Sequence, residues 1–174
     1  MWRFAAGVSL LLQLHSVSAA GDGPTDITEA DRETLAAALD RAGPSVAGLP
    51  ISLASVPSPE VSKMVVAWTT YDEGGQGKEI FVYTKSRLFR CASGPAMNRS
   101  TCPLVLASVL IHEAWHLRSG TDESRAYTEQ IWFLQMNKAS EAVIDEVFRA
   151  RLLAIRKQKR AIRAAKSNLY GRVF

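Results

Sequence analysis

The sequence predicts an α+β fold: a small antiparallel sheet packed on a buried helix, followed by further helices. Two observations carry this expectation. Runs rich in β-branched and aromatic residues cluster between residues 51 and 85, whereas helical spacing of apolar residues takes over from residue 101 onward. A chain of 174 residues suits one domain. With 47% apolar and 22% charged side chains, it reads as globular, which excludes collagen-like, coiled-coil and wholly disordered readings.

The first segment, Met1–Ala20, has one cation (Arg3), an apolar stretch from Phe4 to about Leu14, and small residues at Val17–Ala20. This is the layout of a cleaved secretory signal peptide, and the apolar run is shorter than the roughly 20 residues that cross a bilayer. The rest of the chain, 21–174, is expected to be one exported domain, periplasmic or secreted, with no later membrane span.

Thr28 is placed to cap a helix with acids in its first turn, and Leu35, Ala38, Leu39 and Ala42 recur at helical spacing until Gly43-Pro44 stops the run. Ile51–Val56 is a candidate strand. Lys63–Thr70 and Glu79–Lys85 form a hairpin across the glycine-rich tip Tyr71–Lys78, and Arg87–Arg90 extends the sheet as a short edge. The tip has no phosphate-loop context.

Thr101 and Pro103 start a helix that is almost wholly apolar over Leu104–Ile111, runs through Arg118 and ends at Gly120. A second helix begins at Thr121 or Asp122 and turns Tyr127, Ile131 and Leu134 inward. A third, from Ser140, does the same with Ile144, Val147, Phe148, Leu152 and Ile155.

Charge is uneven. Residues 149–174 hold nine basic and no acidic side chains; the other 148 residues hold twelve basic and seventeen acidic. The formal charge of +4 therefore averages an acidic body and a basic C-terminal helix (about 140–166). Arg149–Lys166 is a solvated helix face that complements the acidic body, or a site for anionic lipid, a nucleic acid or an acidic partner. No nucleic-acid partner is expected, because no aromatic residues interleave with these cations. Cys91 and Cys102, the chain's two cysteines, are expected to form a disulfide in an exported protein.

The chemistry lies in His112-Glu113-Ala114-Trp115-His116, an HExxH motif on the buried helix. Residues four apart on a helix share a face, so both imidazoles can converge on one ion. Glu113 sits beside that face, within reach of a water held by the metal. Trp115 reads as a core anchor, and Trp68 as core or substrate contact. Past the leader there is no third histidine, so a third metal ligand must be a carboxylate. Gly120 lets the chain turn back and leaves two candidates, Glu123 and Asp122. Glu123 shares a helix face with Ala126, Tyr127 and Gln130, which favours it; Asp122 is better placed as a helix cap.

Over His112–Tyr127, with HExxH followed by Glu123-Ser124-Arg125-Ala126, the chain resembles the gluzincin-type zinc metallopeptidases of the zincin superfamily. Only six residues separate His116 from Glu123, shorter than in many gluzincins, and the glycine bend is more like that of metzincins. The resemblance implies that His112, His116 and Glu123 bind Zn²⁺ and that Glu113 is the general base for hydrolysis of a peptide or protein substrate. It also implies a hairpin whose edge lies along the substrate cleft. Tyr127, Tyr83 and Arg118 are candidate donors to the developing oxyanion. The competing expectation is a metal-binding zincin-fold scaffold with little turnover that works through the basic C-terminal helix.

Overall fold

A computed structural model describes residues 27–57, 65–94 and 101–170, the last with side chains to residue 164. The expected signal peptide, Met1–Ala20, lies outside the described residues, as does the start of the expected strand at Lys63.

Helix α1 (Glu29–Ala42) starts on a capping box. The Asp31 backbone N–H donates to Thr28 Oγ1 at 3.2 Å, and the Thr28 N–H donates to Asp31 Oδ2 at 2.8 Å, which satisfies two otherwise orphaned donors. Leu35, Ala38 and Ala42 form its buried stripe, and Gly43, at φ +64°, ends it in a 3₁₀ turn over Gly43–Val46.

Three strands follow: β1 (Ile51–Ala54), β2 (Ala67–Tyr71) and β3 (Gly77–Tyr83), in the spatial order β1-β3-β2. The hairpin β2–β3 is antiparallel as expected, but β1 runs parallel to β3, so the sheet is mixed rather than antiparallel. β2 therefore lies on the side of β3 away from β1. This makes β3 the central strand, with Ile80 and Val82 fully buried. The register pairs Thr69 with Ile80 and Ala67 with Val82, so these four side chains share the inward face. Trp68 and Phe81 lie on the other face, stacked with ring centroids 5.5 Å apart. The hairpin tip is a defined turn: Gln76 N–H donates to Asp72 Oδ1 at 2.9 Å, and Gly75 takes φ +81°.

The expected edge strand Arg87–Arg90 is instead the start of helix α2 (Arg87–Ser93). Ser86 caps it by accepting the Phe89 N–H, and Phe89 is fully buried. A single apolar anchor plus a serine cap matches one helical turn as well as it matches an edge strand, and here the cap prevails. The Cys91–Cys102 disulfide, with Cα atoms 5.8 Å apart, ties α2 to the start of α3. Closing so short a loop stabilises by about 3 kcal/mol in the chain-entropy picture.

Helix α3 (Thr101–Ser119) is the axis of the fold and packs against α1, α2, α4, β2 and β3. Leu106, Ala107, Leu110 and Ala114 join Phe89, Ile80 and Val82 in the main core. The sheet approaches α3 closely at Gly77, where a Cβ would collide with the Leu117 backbone. Only glycine fits there. Helix α4 (Glu123–Met136) folds back after Gly120, which takes φ +98°. Helix α5 (Glu141–Tyr170) packs on α4 through a second core of Ile131, Leu134 and Val147, flanked by Tyr127, Val143 and Ile144. The expected inward stripe of α5 is thus only partly correct. Val147 and Ala154 are buried, but Phe148 and Leu152 are exposed, because α4 covers the neighbouring stripe and, among the described residues, nothing covers theirs. Among the described residues, no helix is long and apolar enough to cross a membrane.

The close approach at Gly77 sets a stability test. Gly77→Ala should cost about 2 kcal/mol, because the helix or strand must shift to admit a methyl group. The melting temperature, followed by circular dichroism, should fall by several degrees; an unchanged midpoint would show that the contact is not tight.

Candidate metal centre

Two adjacent turns of α3 and the first turn of α4 build the site. His112, Glu113 and His116 are 7%, 6% and 1% exposed, and Glu123 is 3% exposed, so all four ionisable groups are removed from bulk water. Helical spacing brings His112 Nε2 within 3.1 Å of His116 Nε2. Glu123 completes the triangle, with Oε2 at 3.5 Å from His112 Nε2 and Oε1 at 3.8 Å from His116 Nε2.

This buried His-His-Glu group is able to hold a metal ion. Ligand atoms about 2.0–2.1 Å from one tetrahedral ion stand about 3.4 Å apart, which the three observed separations bracket. The tautomer fits as well. His116 Nδ1 lies 2.7 Å from the Gly120 carbonyl oxygen, so it carries the proton and donates, leaving the Nε2 lone pair aimed inward. Among the described residues, His112 Nδ1 is buried without a hydrogen-bond partner, and the ring is held edge-on against Tyr127 at a centroid distance of 4.4 Å.

Gly120 therefore acts twice. Its positive φ turns the chain so that Glu123 comes under the histidines, and its carbonyl orients one of them. Of the two carboxylates left open by the sequence, Glu123 is the one that converges. Asp122 is exposed and caps α4 instead, accepting the Ser124 N–H at 2.9 Å and the Arg125 N–H at 3.3 Å.

Electrostatics follow from this packing. Burial alone would raise the Glu123 carboxyl, but hydrogen bonding and attraction from His112 and His116 outweigh it and hold the group down at about 2. Burial would lower His116, yet its contacts with Glu123, the charge of Glu113 and the Gly120 carbonyl leave it raised. Glu113 is pushed up, chiefly by burial, with His112, His116 and a hydrogen bond from Thr69 offsetting part of the rise. That bond, Thr69 Oγ1 to Glu113 Oε2 at 2.8 Å, ties the sheet to the motif and occupies one carboxylate oxygen.

The expected oxyanion donors are not brought together. Arg118 is exposed, and Tyr83 is on the strand face opposite Ile80 and Val82. Tyr127 stays near, packed on His112, its phenol pushed up to about 12 by burial and by the charges of Glu123 and Glu113. Trp115 is half-buried against the His116 ring rather than a deep core anchor.

Two residues were not singled out by the sequence reading. One is Thr69. The other is Tyr71, whose hydroxyl is buried with no hydrogen-bond partner among the described residues. Tyr71 pairs with Gly77, the residue that touches Leu117, so it lies beside the end of the motif. Burial and the charges of Glu113 and Glu123 raise its phenol, so it keeps its proton and remains a donor. The hairpin's alternation, Ala67-Thr69-Tyr71, was the available signal for both.

Comparison of the chain with protein-family models, with curated proteins and with solved structures finds no match.

If the triad holds an ion, Zn²⁺ at a hundred times its dissociation constant should stabilise the protein by about 2.7 kcal/mol near pH 8. The gain should shrink toward pH 5, because protons compete for the imidazoles. Glu123→Ala should abolish the shift and Asp122→Ala should keep it, as read by thermal denaturation with and without metal. Equal loss in both variants would overturn the ligand assignment.

Proposed function

We propose that this chain is an exported zinc-dependent metallohydrolase of the zincin type, a peptidase that uses Glu113 as general base. The observation that carries this reading is the convergence of His112, His116 and Glu123 beside a carboxylate held in place from a neighbouring strand. The His₂Glu donor set suits zinc, and three protein ligands leave a fourth position for a water or substrate. Bound there, the ion would supply Lewis acidity toward water and toward a substrate carbonyl oxygen.

The chain's own groups supply the rest. Glu113 has one oxygen fixed by the Thr69 hydroxyl and the other free to take a proton from the attacking water and return it to the departing amine nitrogen. The Tyr71 hydroxyl, protonated and unpartnered, is a donor for negative charge that develops on the carbonyl oxygen. The Cys91–Cys102 disulfide supports export, since such bonds persist in oxidising compartments.

A second reading, a metal-binding scaffold with little turnover, is favoured by the depth of the site, where none of the residues His112, Glu113 and His116 is more than 7% exposed. Glu113→Gln separates the two. Under the peptidase reading it keeps zinc affinity within about threefold and loses at least about a hundredfold in kcat on a peptide library read by mass spectrometry. A zinc-loaded parent that cleaves no peptide faster than the variant supports the scaffold. Tyr71→Phe should lower kcat about a hundredfold, with KM and zinc affinity little changed. An unaltered kcat would remove Tyr71 from the chemistry.

A further inference from the structure

Helix α5 contributes none of the groups that converge in the candidate metal site. Among the helices and strands, it packs substantially only on α4. The last described tie to the body is Gln158 Nε2 donating to the Thr121 carbonyl at 2.8 Å, and the helix continues to Tyr170. Its buried stripe is Val147 and Ala154. A second apolar stripe lies about 100° round the helix, where Phe148, Leu152, Ile155 and Ile162 follow at i, i+4, i+7 and i+14. Phe148 is 40% exposed, Leu152 54% and Ile162 37%, and Leu153, farther round, is 65% exposed. The stripe is about 21 Å long at 1.5 Å per residue.

Cations border it. Arg156 and Arg163 fall alongside the stripe on the helical wheel and Lys159 falls within it, with Arg149 and Arg160 just beyond. All five are exposed, and none forms an ion pair among the described residues. No acidic residue occurs from position 149 to the end of the chain. A solvated helix face gains nothing from exposed Phe, Leu and Ile, and a contact with a polyanion in water needs only the charges. A convex apolar stripe edged by positive charge matches a surface that is apolar just below an anionic layer. Self-association through this face would set cation against cation.

We propose that the outer flank of α5 is a docking surface for anionic phospholipid bilayers, with Phe148, Leu152 and Ile162 entering the headgroup–acyl boundary and the arginines meeting the lipid phosphates. The helix lies in the interface plane and does not span it. This holds whether or not the metal centre turns over substrate.

The test is vesicle co-sedimentation of the full chain at physiological salt. The vesicles are pure phosphatidylcholine or phosphatidylcholine with 30% phosphatidylglycerol (about that fraction gives a strongly negative surface). The parent should bind the anionic vesicles at least about tenfold more tightly than the neutral ones. Leu152→Ser with Leu153→Ser, both exposed positions, should weaken that binding about tenfold. Arg156→Gln with Arg160→Gln and Arg163→Gln should weaken it about a hundredfold. Both variants should keep the parent's circular dichroism spectrum and melting temperature. Three results would overturn the proposal: equal binding of the parent to both vesicles, a leucine variant that binds anionic vesicles as the parent does, or binding of the parent to an acidic protein or DNA with none to vesicles.

Discussion

Two imidazole nitrogens 3.1 Å apart, in a space nearly closed to water, set the terms for this protein. Two lone pairs that face one another repel unless something positive lies between them, and a buried carboxylate at 3.5 and 3.8 Å strengthens the demand. A proton shared between the rings meets part of it; a divalent cation meets all of it. The rest of the structure keeps the demand from relaxing. The histidines cannot separate, because α3 is packed on almost every side. Glu123 cannot retreat, because Asp122 fixes the start of α4 one residue before it.

The sheet is the other half of the support. Its central strand reaches α3 with no side chain in between at Gly77, and this allows the adjacent strand to place Thr69 against Glu113. A larger residue would hold the sheet off by a methyl group and leave Glu113 without its hydrogen bond. Buried carboxylates lose their orientation along with their partners, so a steric fact at one glycine bears on the chemistry of a residue in a different element.

What was legible in the sequence was what helical periodicity encodes. The HExxH face, the glycine corner and the placement of Glu123, rather than Asp122, beside the histidines depend on residues within about a dozen positions of each other, which local geometry fixes. The hairpin was legible for the same reason. The parallel placement of β1 was not, because strand order depends on which edge of β3 is free after the hairpin forms, and no local pattern records that. Thr69 and Tyr71 were missed because they meet the motif only through sheet-on-helix packing across more than forty residues. Arg87–Arg90 misled because a short amphipathic run fits both periods. Phe148 and Leu152 break the expectation because apolar residues at helical spacing need not be buried, and α4 is wide enough to cover only one of the two stripes.

The hydrogen bonds from Arg151 to Ser124 and from Gln158 to Thr121 have a mechanical meaning. Both acceptors flank Glu123, one residue after it and two before it, so the long outer helix grips the peptide segment that carries this carboxylate at both ends. Force or displacement applied to that helix is therefore delivered at the third corner of the triangle, and, by reciprocity, anything that tightens the triangle stiffens the seat of the helix.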